Sequence, residues 1–255
     1  MGNSIKDNLM PVTITKTKIL LVEGNDELNL FEELLNDLNL NDQIQVIEVG
    51  GKTKFSPKLS GIKSMPEFRT IVTSIGIVRD ADDDPISAFQ SVCSALRKNQ
   101  LPEPNAPLVT VQGRPHVTVM IVPDRNTIGM IENVCLESVN DDPAMECIDQ
   151  FFLCLENKGR VLADNQVPKA RVRAYLTSRE LLEIAHFEGI QHCLNDYQVR
   201  NPKSAAVAVA RTHAFLSSRY TPDLDLGMAA KKTDDRYWRF DSPVFDNIKR
   251  FLQMI

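Results

Sequence analysis

The chain has 255 residues, 43% of them hydrophobic and 25% charged, with a formal net charge of −5. That length suits one large domain, or one domain with a sizeable appendage, and the make-up is that of an ordinary soluble globular protein. No apolar run approaches the roughly 20 residues that span a bilayer. The opening stretch, Met1 to Thr17, has neither signal-peptide nor transit-peptide character, so a cytoplasmic protein without a membrane segment is expected.

The predicted elements begin with a strand over Thr17 to Val22, nearly all apolar and so suited to a sheet buried on both faces. Gly24–Asn25 breaks it, and Leu28, Phe31, Leu35 and Leu38 then recur at helical spacing. Gln43 to Val49 alternates as a second strand and ends at Gly50–Gly51. A short helix is expected over Met65 to Thr70. Ile71 to Val78 is the most strand-like run and stops at Arg79–Asp80. Pro85 suits a first helical turn, and Ser87 to Leu96 continues that helix. His116 to Val122 is a further buried strand, followed by a helix over Ile128 to Leu136.

This order of strands and helices predicts an α/β protein with an open, mostly parallel sheet flanked by helices. Beyond about residue 141 the pattern becomes mainly helical: Ala144 to Leu155, Lys169 to Ala185, Ser204 to Ser218, and a last helix capped by Ser242 with Pro243 at its first position. The expected division is residues 1–140 as the α/β domain and 141–255 as a helical region packed on it. Charge divides similarly. Residues 1–158 hold 14 basic and 23 acidic side chains, whereas 159–255 hold 15 and 11. The basic excess of the second part could hold an anionic substrate.

The five cysteines (Cys93, Cys135, Cys147, Cys154, Cys193) form no C-x-x-C pair, and the four histidines lack metal-ligand spacing. Reduced core thiols are expected, Cys147 and Cys154 among them, and no zinc.

The carboxylates are more informative. Glu23 directly follows the first strand, and the run Asp80, Asp82, Asp83, Asp84 directly follows a later one. Sites in open α/β sheets form outside the C-terminal ends of strands, so both groups are expected at one edge. Glu27, one helical turn past Glu23, could face the same pocket. Asp124 follows a third strand end, and Glu132 lies in the next helix. Crowded carboxylates raise one another's pKa values, a penalty that a divalent ion removes. Mg2+ needs only one or two of them. An EF-hand loop starting at Asp80 would need Gly and Glu where Pro85 and Ser91 stand. A phosphatase that uses an aspartyl nucleophile would not account for Glu23.

Val22–Glu23–Gly24 at one strand end and Asp80–Ala81–Asp82 at a later one resemble the Toprim domain shared by topoisomerases, primases and OLD-family nucleases, over about the first 135 residues. Glu27, Asp84 and Gly129–Met130–Ile131–Glu132 point to the OLD-like branch. The stretches around Gly227 to Ala230 and Trp238 to Pro243 resemble small stand-alone Toprim-like proteins of unknown function. The resemblance implies a nuclease or related phosphoryl-transfer enzyme acting on DNA or RNA with Mg2+ or Mn2+. In it Glu23 serves as general acid/base or ligand, and Asp80 and Asp82 as metal ligands. Glu27, Asp84 and Glu132 are further ligand candidates. Lys169, beside Arg171 and Arg173, is the candidate for a lysine that stabilises the transition state, with Lys52 as another. OLD-like modules also imply an ABC-type ATPase. The chain has no phosphate-binding G-x-x-x-x-G-K-[ST] loop of its own, so such a partner would act in trans. A homo-oligomer is left open. The alternative is a non-catalytic Toprim-like module that binds metal, nucleotide or a protein partner.

Overall fold

The computed structural model describes residues 13–185, 226, 230 and 237–255. The helix expected over Ser204 to Ser218, the Gly227 to Ala229 stretch and Cys193 lie outside them. Contacts divide the chain into two compact units: residues 1–129 with 246–255, and residues 130–245.

The first unit holds a four-stranded, all-parallel sheet in the order β2-β1-β3-β4. Its strands are β1 (Lys18–Val22), β2 (Ile44–Glu48), β3 (Ser74–Asp80) and β4 (His116–Val122). All seven residues of β3 are buried, as are six of seven in β4. That explains their continuous apolar character, because strands covered on both faces show no polar alternation. Ile19 and Leu21, Ile75 and Ile77, and Val117, Val119 and Ile121 share one core cluster. Its cover comes from α2 (Phe55–Ser64), through Phe55, Leu59 and Ile62, and from α4 (Pro85–Lys98), through Val92 and Leu96. Helix α1 (Asn25–Asp37) buries Leu30, Phe31, Leu34 and Leu35, and the short α3 (Pro66–Thr70) precedes β3.

On the other face of β3, Gly76 lies under the C-terminal residue. A Cβ there would come within 2.3 Å of Ile255 Cδ1 and 3.1 Å of Leu20 Cδ1. The missing side chain therefore makes room for Ile255, which follows the helix Asp246–Met254.

The sequence pattern locates all four strands, with β3 starting three residues later than expected, at Ser74, and running two further, through Asp80. Helix α2 is an addition to the expected elements. Pro57 and Gly61 obscure it, although Phe55, Leu59 and Ile62 keep the i, i+4, i+7 spacing of a buried face. At Pro243 a 3-10 turn, Pro243–Phe245, precedes the final α-helix.

The second unit is helical among its described residues: α5 (Ile131–Ser138), α6 (Pro143–Asn157) and α7 (Val167–Ala185). Tyr175 stacks on the fully buried Trp238, whose indole N–H donates to the Leu226 carbonyl. Cys147 and Cys154, expected in the core, are exposed, whereas Cys93 and Cys135 are buried. The reason lies in helix phase. Helix α6 buries Met145 and Ile148, while Cys147, Phe151 and Cys154, at i, i+4 and i+7, form an exposed face. No helix among the described residues is long and apolar enough to cross a membrane.

Candidate functional site

Strand order determines where the two acidic motifs meet. From β1 the chain crosses to β2 on one side, then returns to place β3 on the other side of β1. The switch point lies between β1 and β3, and crevices open at the carboxyl ends of strands at such points. Glu23 follows β1 directly and Asp80 closes β3, so the two motifs flank this crevice.

The group that joins them is Arg79. It is only 6% exposed. One terminal nitrogen, Nη1, donates to Glu23 Oε2 at 2.7 Å, and Nη2 donates to Asp82 Oδ2 at 3.1 Å. Its Nε is buried with no hydrogen-bond partner. Lys52 adds a second cation, its Nζ 3.1 Å from the same Asp82 Oδ2, but it is 58% exposed. The turn after β2 brings Lys52 there. Gly50 (φ +88°) and Gly51 (φ +114°) adopt backbone conformations that L side chains rarely take, and both N–H groups donate to the Glu23 carbonyl.

Asp82 is itself left-handed (φ +50°), a conformation that Asp tolerates better than most residues. It is held by reciprocal backbone hydrogen bonds with Gly129, each 2.8 Å. Partial burial would raise the pKa of its carboxyl. The hydrogen bonds and charges of Lys52 and Arg79 outweigh that and hold it below the usual carboxylate range.

The other candidates have local duties. Glu27 Oε2 accepts from the Gly24 N–H at the start of α1, and a Cβ on Gly24 would lie 3.0 Å from that oxygen, so glycine permits the cap. Asp84 is the N-cap of α4, accepting from the Ile86 and Ser87 N–H groups and the Ser87 hydroxyl, which lowers its pKa. Pro85 occupies the first turn of that helix, as expected. Asp124 accepts from Asn126, Thr127 and the Thr127 hydroxyl. It lines a cavity of about 270 Å³ beyond β4 with Leu108, Met120, Pro123 and Asn247. Glu132 and Lys169 belong to the second unit, where Lys169 Nζ lies 3.8 Å from Glu132 Oε1.

The structure thus brings Glu23, Asp82, Lys52 and Arg79 together, with buried Asp80 beside them at the end of β3. The sequence pattern marks Arg79 only as the end of a strand. Its signal was an arginine directly after a mostly apolar run, a residue type that is seldom buried without a partner. Among the described residues no three His, Cys, Asp or Glu side chains converge to hold a metal ion. As they stand, Glu23 and Asp82 do not fit a divalent ion at Oε2 and Oδ2, because Arg79 already engages both oxygens.

Fold and site together define a parallel α/β protein with a charge-compensated acidic crevice at the switch point of its sheet. The chain belongs to a family described as proteins of unknown function (DUF3226), whose model matches residues 17–195. No curated protein matches it significantly. Among solved structures it is similar to the C-terminal region of the Xanthomonas campestris pv. campestris OLD protein, with a TM-score of 0.39 and 13% identity, covering 95% of this chain and 97% of that one.

Proposed function

We propose that the chain is a Toprim-like module whose β1–β3 edge acts on the phosphodiesters of DNA or RNA, as a nuclease or related phosphoryl-transfer enzyme. The observation that carries this reading is the meeting of Val22–Glu23–Gly24 and Asp80–Ala81–Asp82 across the switch point of a parallel sheet. Lys52 supplies an exposed positive charge at the same edge, and cationic side chains contact phosphate without reading sequence. Mg2+ or Mn2+ is the ion that the resemblance implies, and an ATPase in trans is the partner it implies. Affinity capture of the full chain that recovers no ATPase, with cleavage by the pure protein alone, would remove the partner.

The test is incubation with plasmid, single-stranded DNA and RNA in Mg2+, Mn2+ or EDTA, beside Glu23→Gln and Asp80→Asn. Cleavage by the wild type, reduced about a hundredfold or more in both variants, is expected if they carry acid–base and electrostatic roles. Equal activity in all three proteins, or none in any, would sink the enzyme reading.

One observation favours a second reading. Arg79 and Lys52 together already balance the charge of Glu23 and Asp82, which suits a non-catalytic module that binds nucleotide or a partner. Saturable nucleic-acid or nucleotide binding without turnover in the same assay would select it.

A further inference from the structure

The centre of the acidic crevice holds a cation that belongs to the chain itself. We propose that the Arg79 guanidinium is the resident counter-ion of Glu23 and Asp82, so that a divalent ion binds this edge only by competing with Arg79.

Three observations carry it. A single guanidinium contacts both carboxylates, one through each terminal nitrogen, at 2.7 and 3.1 Å. A planar fork presents separate donors to the two carboxylates in a fixed geometry, which the compact and more strongly hydrated ammonium of a lysine does not reproduce. The guanidinium is buried, as an integral part of the packed end of β3 would be. Lys52, by contrast, sits over the same Asp82 oxygen and is mostly exposed, so it exchanges readily with solvent ions.

Competition follows from chemistry. Mg2+ and Mn2+ draw on the lone pairs that now accept from Arg79. Mg2+ holds its ligands at about 2.0–2.1 Å, closer than any N–H donor approaches. A divalent ion beside an undisplaced guanidinium would also meet like charge across a few ångströms of partly buried space, where such repulsion is weakly screened. Removing the guanidinium should therefore create an ion site and not merely damage the fold. The inference stands whether or not the chain cleaves nucleic acid, because it is read from bound metal.

The experiment titrates Mn2+ into the full chain and follows free Mn2+ by electron paramagnetic resonance, for wild type, Arg79→Met and Arg79→Lys. Arg79→Met is expected to bind Mn2+ at least about tenfold more tightly than wild type, with Arg79→Lys in between. Adding Asp82→Asn to Arg79→Met should abolish the gain. Mn2+ should raise the Tm of Arg79→Met and leave that of wild type unmoved. If Arg79→Met folds only when Mn2+ is present, the proposal is supported. If it does not fold at all, Arg79→Lys decides by gaining affinity or not. Wild type binding as tightly as the folded variants, or no gain in either variant, would overturn it. Cleavage assays on the same samples report separately on the enzyme reading.

Discussion

Lys52 Nζ lies 3.1 Å from Asp82 Oδ2, the same oxygen that accepts from Arg79. One carboxylate oxygen thus serves two cations of opposite standing, one exposed and delivered by a glycine turn, the other buried and delivered by a strand. The two contacts should differ in energy accordingly.

Loss of the buried partner leaves two partly enclosed carboxylates facing each other. Arg79→Met is expected to lower unfolding free energy by roughly 2–4 kcal/mol in EDTA, near the range for breaking a buried pair. Lys52→Ala should cost less than about 1 kcal/mol, as exposed pairs do. Urea denaturation with both variants in one buffer measures the difference. Equal costs would mean that burial does not set the value of these contacts.

Acid should weaken the same cluster. The folded-state pKa of Asp82 is depressed, so its ion pairs stabilise the fold above the ordinary carboxylate pKa of about 3.9. That stability is lost as pH falls through the lower folded value. Wild-type urea midpoints are expected to drop between about pH 5 and pH 2 more steeply than those of Asp82→Asn. Parallel pH profiles would show that Asp82 does not titrate with folding.

Asp84 is expected to act as a helix cap. Asp84→Ala should lower the urea midpoint, and Asp84→Ser should recover most of the loss, because a serine oxygen can accept from the same N–H groups. A serine variant as weak as the alanine variant would point to a role for the charge itself.

At Gly76 the constraint is steric. Gly76→Ala is expected to destabilise by about 1–3 kcal/mol through overpacking against Ile255. Combining it with Ile255→Ala should cost clearly less than the two single changes together. Additive costs in that double-mutant cycle would show that the two residues do not share the space.

Thiol reactivity should follow the observed burial. Burial, with Glu103 nearby, pushes the Cys93 thiol up to about 11, and reactivity needs thiolate. Under native conditions iodoacetamide should label Cys147 and Cys154 and spare Cys93 and Cys135, as read by peptide mass spectrometry. Rapid labelling of Cys93 would contradict its placement.

The sequence by itself located the four strands, because burial on both faces writes a continuous apolar run that glycines and charges punctuate. Val22 and Val122 each close such a strand, and fold rules alone then direct Glu23 and Asp80 to one edge. The start of α4 was also legible at Pro85, since proline suits the first turn of a helix, whereas the capping role of Asp84 was not. Helix phase at α6 was less so: its cysteines are as apolar as its core residues, and only packing decides which face is covered. What tertiary structure alone decided is the electrostatic state of the acidic edge. Arg79 and Glu23 are 56 residues apart and Lys52 and Asp82 are 30 apart. Charge compensation across such separations depends on strand order and turn geometry, which no local pattern records.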